Sequence, residues 1–170
     1  MRLPQIAQPY LEQLRDEIEA SCYLSILDGE EVVYVGVAAV PGYSSVNVYP
    51  GVRLPAHATA NGKLLMAFQE EEFIHSLFKN NKLRKLTEST FISKEDLIKE
   101  LRQIKLKGYA FSTAEFNESV SSVAVPIFNR ENKILAAINV VTPINVFDND
   151  FLKTEALPKL QEISKKLSVF

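Results

Sequence analysis

A proline-punctuated segment that leads into an apolar helix constrains the fold of this chain more than any other stretch. The segment spans residues 51–68 and reads GVRLPAHATANGKLLMAF. Pro55 disfavours helix at the residue before it. Thr59 is a good N-cap candidate, with Asn61 as the alternative. Small residues then allow a tight turn, and an apolar stripe at helical spacing follows. The segment predicts an extended piece followed by a buried helix, whose first free N–H groups suit a carboxylate.

The bulk properties predict one soluble domain in a reducing compartment. A chain of 170 residues that is 46% hydrophobic can bury a substantial core. The formal net charge of −2 provides no basic field for nucleic acid. The single cysteine, Cys22, excludes an internal disulfide framework and is expected in the core. The chain has neither an apolar run long enough to span a membrane nor a signal-peptide pattern, so we expect a cytoplasmic location without membrane contact.

Hydrophobic periodicity predicts an α+β domain with the order helix, three strands, helices, three strands, helix. The hairpin-type connections favour an antiparallel or mixed sheet covered by helices. Ser93 is expected to cap one helix and Gly108 to end it, while Asp148 or Asn149 begins the last helix. The predicted helices lie at 4–20, within 51–68, at 70–78, from 93 and from 148, and the predicted strands lie at 22–27, 32–40, 45–49, 109–114, 122–129 and 133–141.

The motifs for catalysis and metal binding are absent. Gly62-Lys63 lacks the spacing of a phosphate-binding loop, so Lys63 is expected to be an exposed residue in the first turn of a helix. His57 and His75 are the only histidines, and they form no metal-binding pair. No nucleophile motif is present, so we expect no catalytic residue, no metal site and no cofactor. Residues 79–107 carry nine basic and four acidic side chains. They form either a partner surface or a solvated face.

Three blocks of sequence together resemble one protein family. LPAHATANGKLLMA resembles the central motif of the effector-binding domain of IclR-type transcriptional regulators. KGYAFSTAE with VSSVAVPIF, and then AAINVVTP, follow in the order found in that family. The resemblance implies a GAF-like or profilin-like domain over residues 1–170, with an antiparallel sheet of about six strands. It also implies homodimers or tetramers.

The resemblance further implies a pocket for a small effector between the start of the central helix and the sheet. Ser112, Ser122 and Asn139 are polar residues on otherwise apolar strands, so a polar ligand would satisfy them, although exposure on a wet sheet face is an alternative. Glu115 matches a recurrent carboxylate of the family and is interpreted first as structural or interfacial and second as a ligand contact. Several of the pocket residues differ from those usual in the family, so the identity of the effector does not transfer. The implied effector-binding residues are Tyr43, Leu54, Ala60, Asn61, Ser112, Val120, Ser122, Asn139 and Val141.

The function predicted on this basis is regulation of transcription through binding of a small organic acid, such as a keto, sugar or aromatic acid. Family members carry a winged helix-turn-helix domain before this region. Because Met1 lies almost on the first helix, we expect that domain to be missing here and DNA to be bound only through it. The alternative is a stand-alone GAF-like domain that binds a small molecule without a DNA-binding partner.

Overall fold

The computed structural model describes residues 2–41, 48–146 and 148–168. Helices and strands follow one another in the predicted order, and the α+β fold class is confirmed. The helices are α1 (Leu3–Ile18), α2 (Ala60–Ala67), α3 (Glu71–Leu77), α4 (Lys94–Lys107), α5 (Asn149–Phe151) and α6 (Leu157–Leu167). The strands are β1 (Ser21–Asp28), β2 (Glu31–Ala38), β3 (Arg53–Pro55), β4 (Ala110–Thr113), β5 (Val120–Phe128) and β6 (Ile134–Pro143).

The strands form one antiparallel sheet of six strands in the order β3-β2-β1-β6-β5-β4. Its register brings polar residues from distant parts of the chain together. Ser112 lies opposite Ser122, which lies opposite Val141 on the next strand. In the neighbouring row, Tyr23 lies opposite Asn139. Residues directly opposite one another share a face of the sheet. Asn139 and Val141 are two positions apart on β6 and therefore also share a face, so all of these side chains lie on the same side.

Helices cover both faces of the sheet, so each strand contributes to two cores. On one face α1 and α6 pack against alternate strand residues such as Leu24 and Ile138. On the other face α2 and α4 pack against the residues between them, such as Tyr23 and Ala137. The sheet therefore has no wet face for Ser112, Ser122 and Asn139, which are 7%, 8% and 0% exposed. This contradicts the alternative in which these side chains are exposed to solvent.

The third strand lies elsewhere than the sequence predicts. Residues 45–47 of the predicted strand are outside the described residues, and Val48 and Tyr49 do not belong to a strand. The third strand is instead β3, which pairs with β2 so that Leu54 lies opposite Val32. Its position at the edge of the sheet explains why Pro55 is tolerated there, since an edge strand can lack an N–H donor.

Local capping signals determine where several helices begin. Ser93 accepts a hydrogen bond from the N–H of Asp96 at 3.3 Å, and Gly108 ends α4 with φ +83°. Asp148 accepts a hydrogen bond from the N–H of Phe151 at 3.0 Å, which confirms it as the cap of the last helical region. That region continues from α5 through a π-helical segment, Leu152–Ala156, into α6. Among the described residues, no helix is both long and apolar enough to cross a membrane.

Candidate functional site

The start of α2 is built by its own side chains. Thr59 has extended backbone angles and accepts a hydrogen bond from the N–H of Gly62 at 3.0 Å, so it is the N-cap, as predicted. The free N–H groups predicted at this helix start therefore do not include that of Gly62, which donates to the cap. Gly62 is also in close contact with the preceding turn, since a Cβ atom would lie 2.2 Å from the carbonyl oxygen of Ala56. Within the described residues, the N–H groups of Ala60 and Asn61 have no protein acceptor.

A cavity lies between this helix start and the sheet. It contains about 460 Å³ of empty space, part of which is open to solvent. Eight of the nine residues implied by the family resemblance line this one cavity: Leu54, Ala60, Asn61, Ser112, Val120, Ser122, Asn139 and Val141. The ninth, Tyr43, lies outside the described residues. The structure therefore brings together residues that are up to 87 positions apart in the sequence, from Leu54 to Val141.

Sequence reasoning missed the other residues that line the cavity. Two of them, Tyr23 and Tyr34, contact each other edge to face with their ring centres 5.4 Å apart. Neither tyrosine belongs to a recognisable motif, and only the pairing of β1 with β2 and β6 brings them to this place. The remaining lining residues are Val48, Ala58, Thr59, Phe116 and Ser121.

Hydrogen bonds hold the side chain of Asn61 in one orientation. Its Nδ2 donates to Ser25 Oγ at 2.8 Å, and its Oδ1 accepts from the Tyr34 hydroxyl at 3.5 Å. Burial raises the pKa of Tyr34, so this phenol stays protonated and keeps its role as a donor. Asn61 is thus part of a buried polar network that fixes one wall of the cavity.

The sheet side of the cavity contains an acceptor that finds no partner within the described part of the chain. Asn139 donates from Nδ2 to Ser122 Oγ at 3.1 Å. Its Oδ1 is buried, and among the described residues it has no hydrogen-bond partner. An unpaired buried acceptor costs about 1–3 kcal/mol. A donor supplied by a water molecule or a ligand in the cavity would remove this cost.

Lys63 is buried, which corrects the expectation that it is exposed. All eight residues of α2 are buried, so this helix has no solvent-facing side on which a lysine could lie. The Lys63 ammonium donates to Glu100 at 2.8 Å and to the carbonyl of Phe111 at 2.9 Å, and it forms an ion pair with Glu115 at 2.8 Å. It also lies 5.0 Å from the centre of the Phe91 ring. These contacts compensate the loss of hydration that burial of the charge causes.

Glu115 has the structural role that the sequence analysis favoured. Burial raises the pKa of its carboxyl group, while the nearby Lys63 lowers that pKa and partly opposes the effect. Its carboxylate contacts Lys63 rather than lining the cavity. A contact between Glu115 and a ligand, the second interpretation, therefore lacks support in this geometry.

The described residues contain no cluster of three or more histidine, cysteine, aspartate or glutamate side chains that could hold a metal ion. His57 is buried with its Nε2 atom 2.7 Å from the carbonyl oxygen of Arg84, and burial lowers its pKa. Cys22 lies in the core, and burial raises the pKa of its thiol. The sequence prediction that Cys22 is a core residue is confirmed.

Comparison with known proteins identifies the family. The profile of the family described as bacterial transcriptional regulator IclR C-terminal matches residues 1–169. The chain belongs to this family. It is 32% identical over 170 residues to the Pca operon regulatory protein of Acinetobacter baylyi, covering 98% of this chain and 61% of that protein. It is 36% identical over 142 residues to the transcriptional regulator XynR of Escherichia coli, covering 81% and 55%. The IclR-type chain thus spans between 55% and 61% of the length of these relatives.

Solved structures share the fold of this IclR domain closely. A transcriptional regulator from Rhodococcus sp. RHA1 superposes with a TM-score of 0.93 at 28% identity, covering 99% of this chain and 69% of that chain. The inducer-binding domain of the Acinetobacter transcription factor PobR, a double mutant in complex with 3-hydroxybenzoic acid, superposes with a TM-score of 0.90 at 29% identity. The two chains are covered to 98% and 97%. The family and the fold implied by the sequence resemblance are both confirmed.

Proposed function

We propose that this IclR domain binds a small hydroxylated organic acid in the cavity between α2 and the sheet, with an aromatic hydroxy acid as the first candidate. The observation that carries the proposal is a set of three polar groups at the cavity that have no partner among the described residues. The N–H groups of Ala60 and Asn61 can take an acceptor, and Asn139 Oδ1 can take a donor. The complex of the related PobR domain with 3-hydroxybenzoic acid supports this class of ligand.

The carboxylate of the ligand is assigned to the start of α2. A helix N-terminus has a partial positive charge, which favours an anion by about 0.3–1 kcal/mol at an exposed site and more where water is excluded. Ala60 and Asn61 supply two N–H donors at adjacent positions, enough to bind the oxygens of one carboxylate. The residues that line the cavity include no lysine or arginine within the described part of the chain, so the backbone provides the anion-binding groups.

The hydroxyl group of the ligand is assigned to the opposite wall. A ligand hydroxyl can donate its proton to Asn139 Oδ1 and accept a hydrogen bond from Ser122, whose hydroxyl proton is not required by its contact with Asn139. Ser112, on β4, lies opposite Ser122 and offers a second hydroxyl group. A ligand that lacks the hydroxyl would leave Asn139 unpaired, so a hydroxy acid is favoured over the corresponding plain acid.

Apolar side chains enclose the carbon frame of the ligand. Leu54, Val120 and Val141 provide aliphatic walls, and Tyr23 with Tyr34 provides aromatic surface. A site with apolar walls and a few directed polar groups is the usual form of a small-molecule site. Tyr43 is proposed to belong to the same site, as the family resemblance implies.

We further propose that effector binding alters the arrangement of subunits in a dimer or tetramer and thereby the affinity of the whole regulator for DNA. The relatives are named as transcriptional regulators, which supports a regulatory rather than a catalytic role. This chain alone is expected not to bind DNA specifically, since its formal net charge is −2. A stand-alone sensor domain is the alternative, and a coding sequence without a winged helix before this region would favour it.

The binding proposal is tested by calorimetry with 3-hydroxybenzoate, 4-hydroxybenzoate, benzoate, pyruvate, gluconate and benzylamine. We expect a hydroxybenzoate to bind more tightly than benzoate, and benzylamine not to bind. Ser122→Ala should weaken binding by about 1 kcal/mol, roughly fivefold. Ser164→Ala is the matched control, because Ser164 donates to the carbonyl of Pro126 from α6, on the other face of the sheet. Tight binding of the amine, or equal affinities for Ser122→Ala and the unmodified chain, would contradict the site.

A further inference from the structure

The turn between β4 and β5 is held in an unfavourable backbone conformation. Ala114 has φ +59°, in the left-handed region that costs an ordinary residue about 1–2 kcal/mol. Its N–H donates to the carbonyl of Val120 at 2.9 Å, which closes the turn. Such a conformation persists only where the surroundings hold it in place.

Two threonines from the segment before α4 hold the carbonyl groups of this turn. Thr87 Oγ1 donates to the carbonyl of Ala114 at 2.5 Å. Thr90 Oγ1 donates to the carbonyl of Glu115 at 2.6 Å. Both threonines are buried, so these bonds are protected from competition with water.

The side chain of Glu115 attaches the same turn to α2. Its carboxylate forms an ion pair with the Lys63 ammonium at 2.8 Å, and Lys63 is 0% exposed. Lys63 lies three residues after Ala60, so both are on the same side of α2. Ala60 lines the cavity on the helix side, and Phe116, the residue after Glu115, lines it on the side of the turn. The Lys63–Glu115 ion pair therefore links two elements, α2 and the β4–β5 turn, that both contribute to the cavity wall.

We propose that Glu115 is a positioning residue that sets the width of the cavity, and hence the size of acid it accepts, by tying the β4–β5 turn to Lys63 on α2. This rests on the proposed function of the cavity as an effector site. Without the ion pair, the turn is still attached to the segment before α4 by the two threonines and to the end of β6 by the Ile144 N–H, which donates to the carbonyl of Ser119 at 2.8 Å. The link between the Glu115 side chain and α2 is lost, so Phe116 can move away from α2. The cavity can then widen to accept a larger ligand, and it contacts a small ligand less closely.

The chain contains a matched control for this role. Lys63 binds two carboxylates, Glu115 on the turn and Glu100 on α4. Glu115→Gln and Glu100→Gln each remove one negative charge and leave one ammonium facing one carboxylate. Only Glu115 lies next to a residue that lines the cavity. A loss of general stability would affect both variants, whereas a loss of positioning would affect only the first.

The experiment measures the affinities of 3-hydroxybenzoate and the larger 6-hydroxy-2-naphthoate by calorimetry, and hydrogen exchange across residues 111–121. In Glu115→Gln we expect faster exchange in the turn and a preference for the smaller acid reduced by a factor of about three or more. In Glu100→Gln we expect the unmodified exchange and the unmodified preference. Thr90→Val, which removes another anchor of the same turn, should shift the preference in the same direction as Glu115→Gln.

Three results would overturn the positioning role. One is an unchanged preference in Glu115→Gln and in Thr90→Val, with or without faster exchange. Another is an equal change in Glu100→Gln and Glu115→Gln, which would reflect the charge of the cluster alone. The third is an unchanged exchange rate in the turn of Glu115→Gln. If neither acid binds the unmodified chain, the proposed effector site is wrong. The proposed role of Glu115 in selecting acids by size is then wrong as well. Hydrogen exchange would then still report separately whether Glu115 anchors the turn.

Discussion

Lys63 shows how completely a buried charge has to be compensated. Its ammonium has three protons, and three protein groups receive them: Glu100, Glu115 and the carbonyl of Phe111. The cluster brings one positive charge together with two carboxyl groups, so removal of the lysine would leave like charges facing each other without a cation.

Lys63→Met is therefore expected to destabilise the domain by about 3–5 kcal/mol, although methionine has a similar length and suits an apolar site. The free energy of unfolding from urea titrations gives the comparison. Lys99→Met is the control, because Lys99 is 66% exposed and pairs with Glu95 on the surface of α4. That change should stay within about 0.5 kcal/mol. Equal effects of the two substitutions would contradict the role assigned to the buried cluster.

His57 makes the stability of the domain depend on pH. Burial lowers its pKa below the usual value of 6.5, so the unfolded chain binds the proton first as the pH falls. The stability contributed by the neutral ring is present above pH 6.5 and is lost as the pH falls below 6.5 towards the lowered pKa of the folded state. His57→Gln should weaken the loss of stability between about pH 7.5 and 5.5. His75→Gln, which replaces the other histidine at an exposed position, is the control substitution. Parallel curves for His57→Gln and the unmodified chain would show that His57 does not cause it.

At the scale of elements, α2 and α4 both begin with a side-chain N-cap, but the two caps differ in their surroundings. Thr59 caps α2 and also lines the cavity, whereas Ser93 caps α4 away from it. The stability that each cap contributes is local, but the position of the α2 cap connects it with the proposed site for the carboxylate.

Thr59→Ala and Ser93→Ala should each lower the free energy of unfolding by about 1 kcal/mol, because each leaves a helix N–H without its side-chain acceptor. Only Thr59→Ala should also weaken the binding of hydroxybenzoate, since it loosens the helix start that carries the N–H groups of Ala60 and Asn61. Thermal unfolding and calorimetry of both variants provide the two measurements. A loss of binding in Ser93→Ala of equal size would indicate a general effect rather than a site at α2.

At the scale of the whole molecule, the described surface exposes large apolar side chains despite the extensive core. Leu106 is 80% exposed, Tyr49 is 60% exposed and Ile92 is 48% exposed. Exposed apolar surface on a small domain often marks a contact with another protein. Together with the family, this supports the prediction of a dimer or tetramer.

Sedimentation velocity across a concentration series from low micromolar to hundreds of micromolar should show a dimer or a larger assembly whose share rises with concentration, as mass action requires. The addition of a hydroxybenzoate is expected to change the distribution of species if effector binding and assembly are coupled. A monomer across the whole series, with and without the acid, would contradict the prediction.

The sequence by itself determined the fold class, the order of the elements and five of the six strands, whereas the third strand was misplaced. Local rules were sufficient for these features. The caps at Thr59, Ser93 and Asp148 depend on hydrogen bonds within three residues, and helix and strand periodicity depends on neighbouring positions. The motif around residues 54–67 indicated the family, and the resemblance implied the eight cavity residues that the structure brings together.

Only the tertiary structure decided which side chains meet. Tyr23, Tyr34 and Phe116 line the cavity because of strand register and of a turn held by buried threonines, and no local pattern contains that information. The burial of Lys63 was likewise decided by contacts between distant parts of the chain. Its partners lie 37 and 52 residues away in the sequence, and helix α2 is enclosed on every side once the sheet has formed. Burial and charge pairing depend on long-range packing, so they were decided by the fold as a whole.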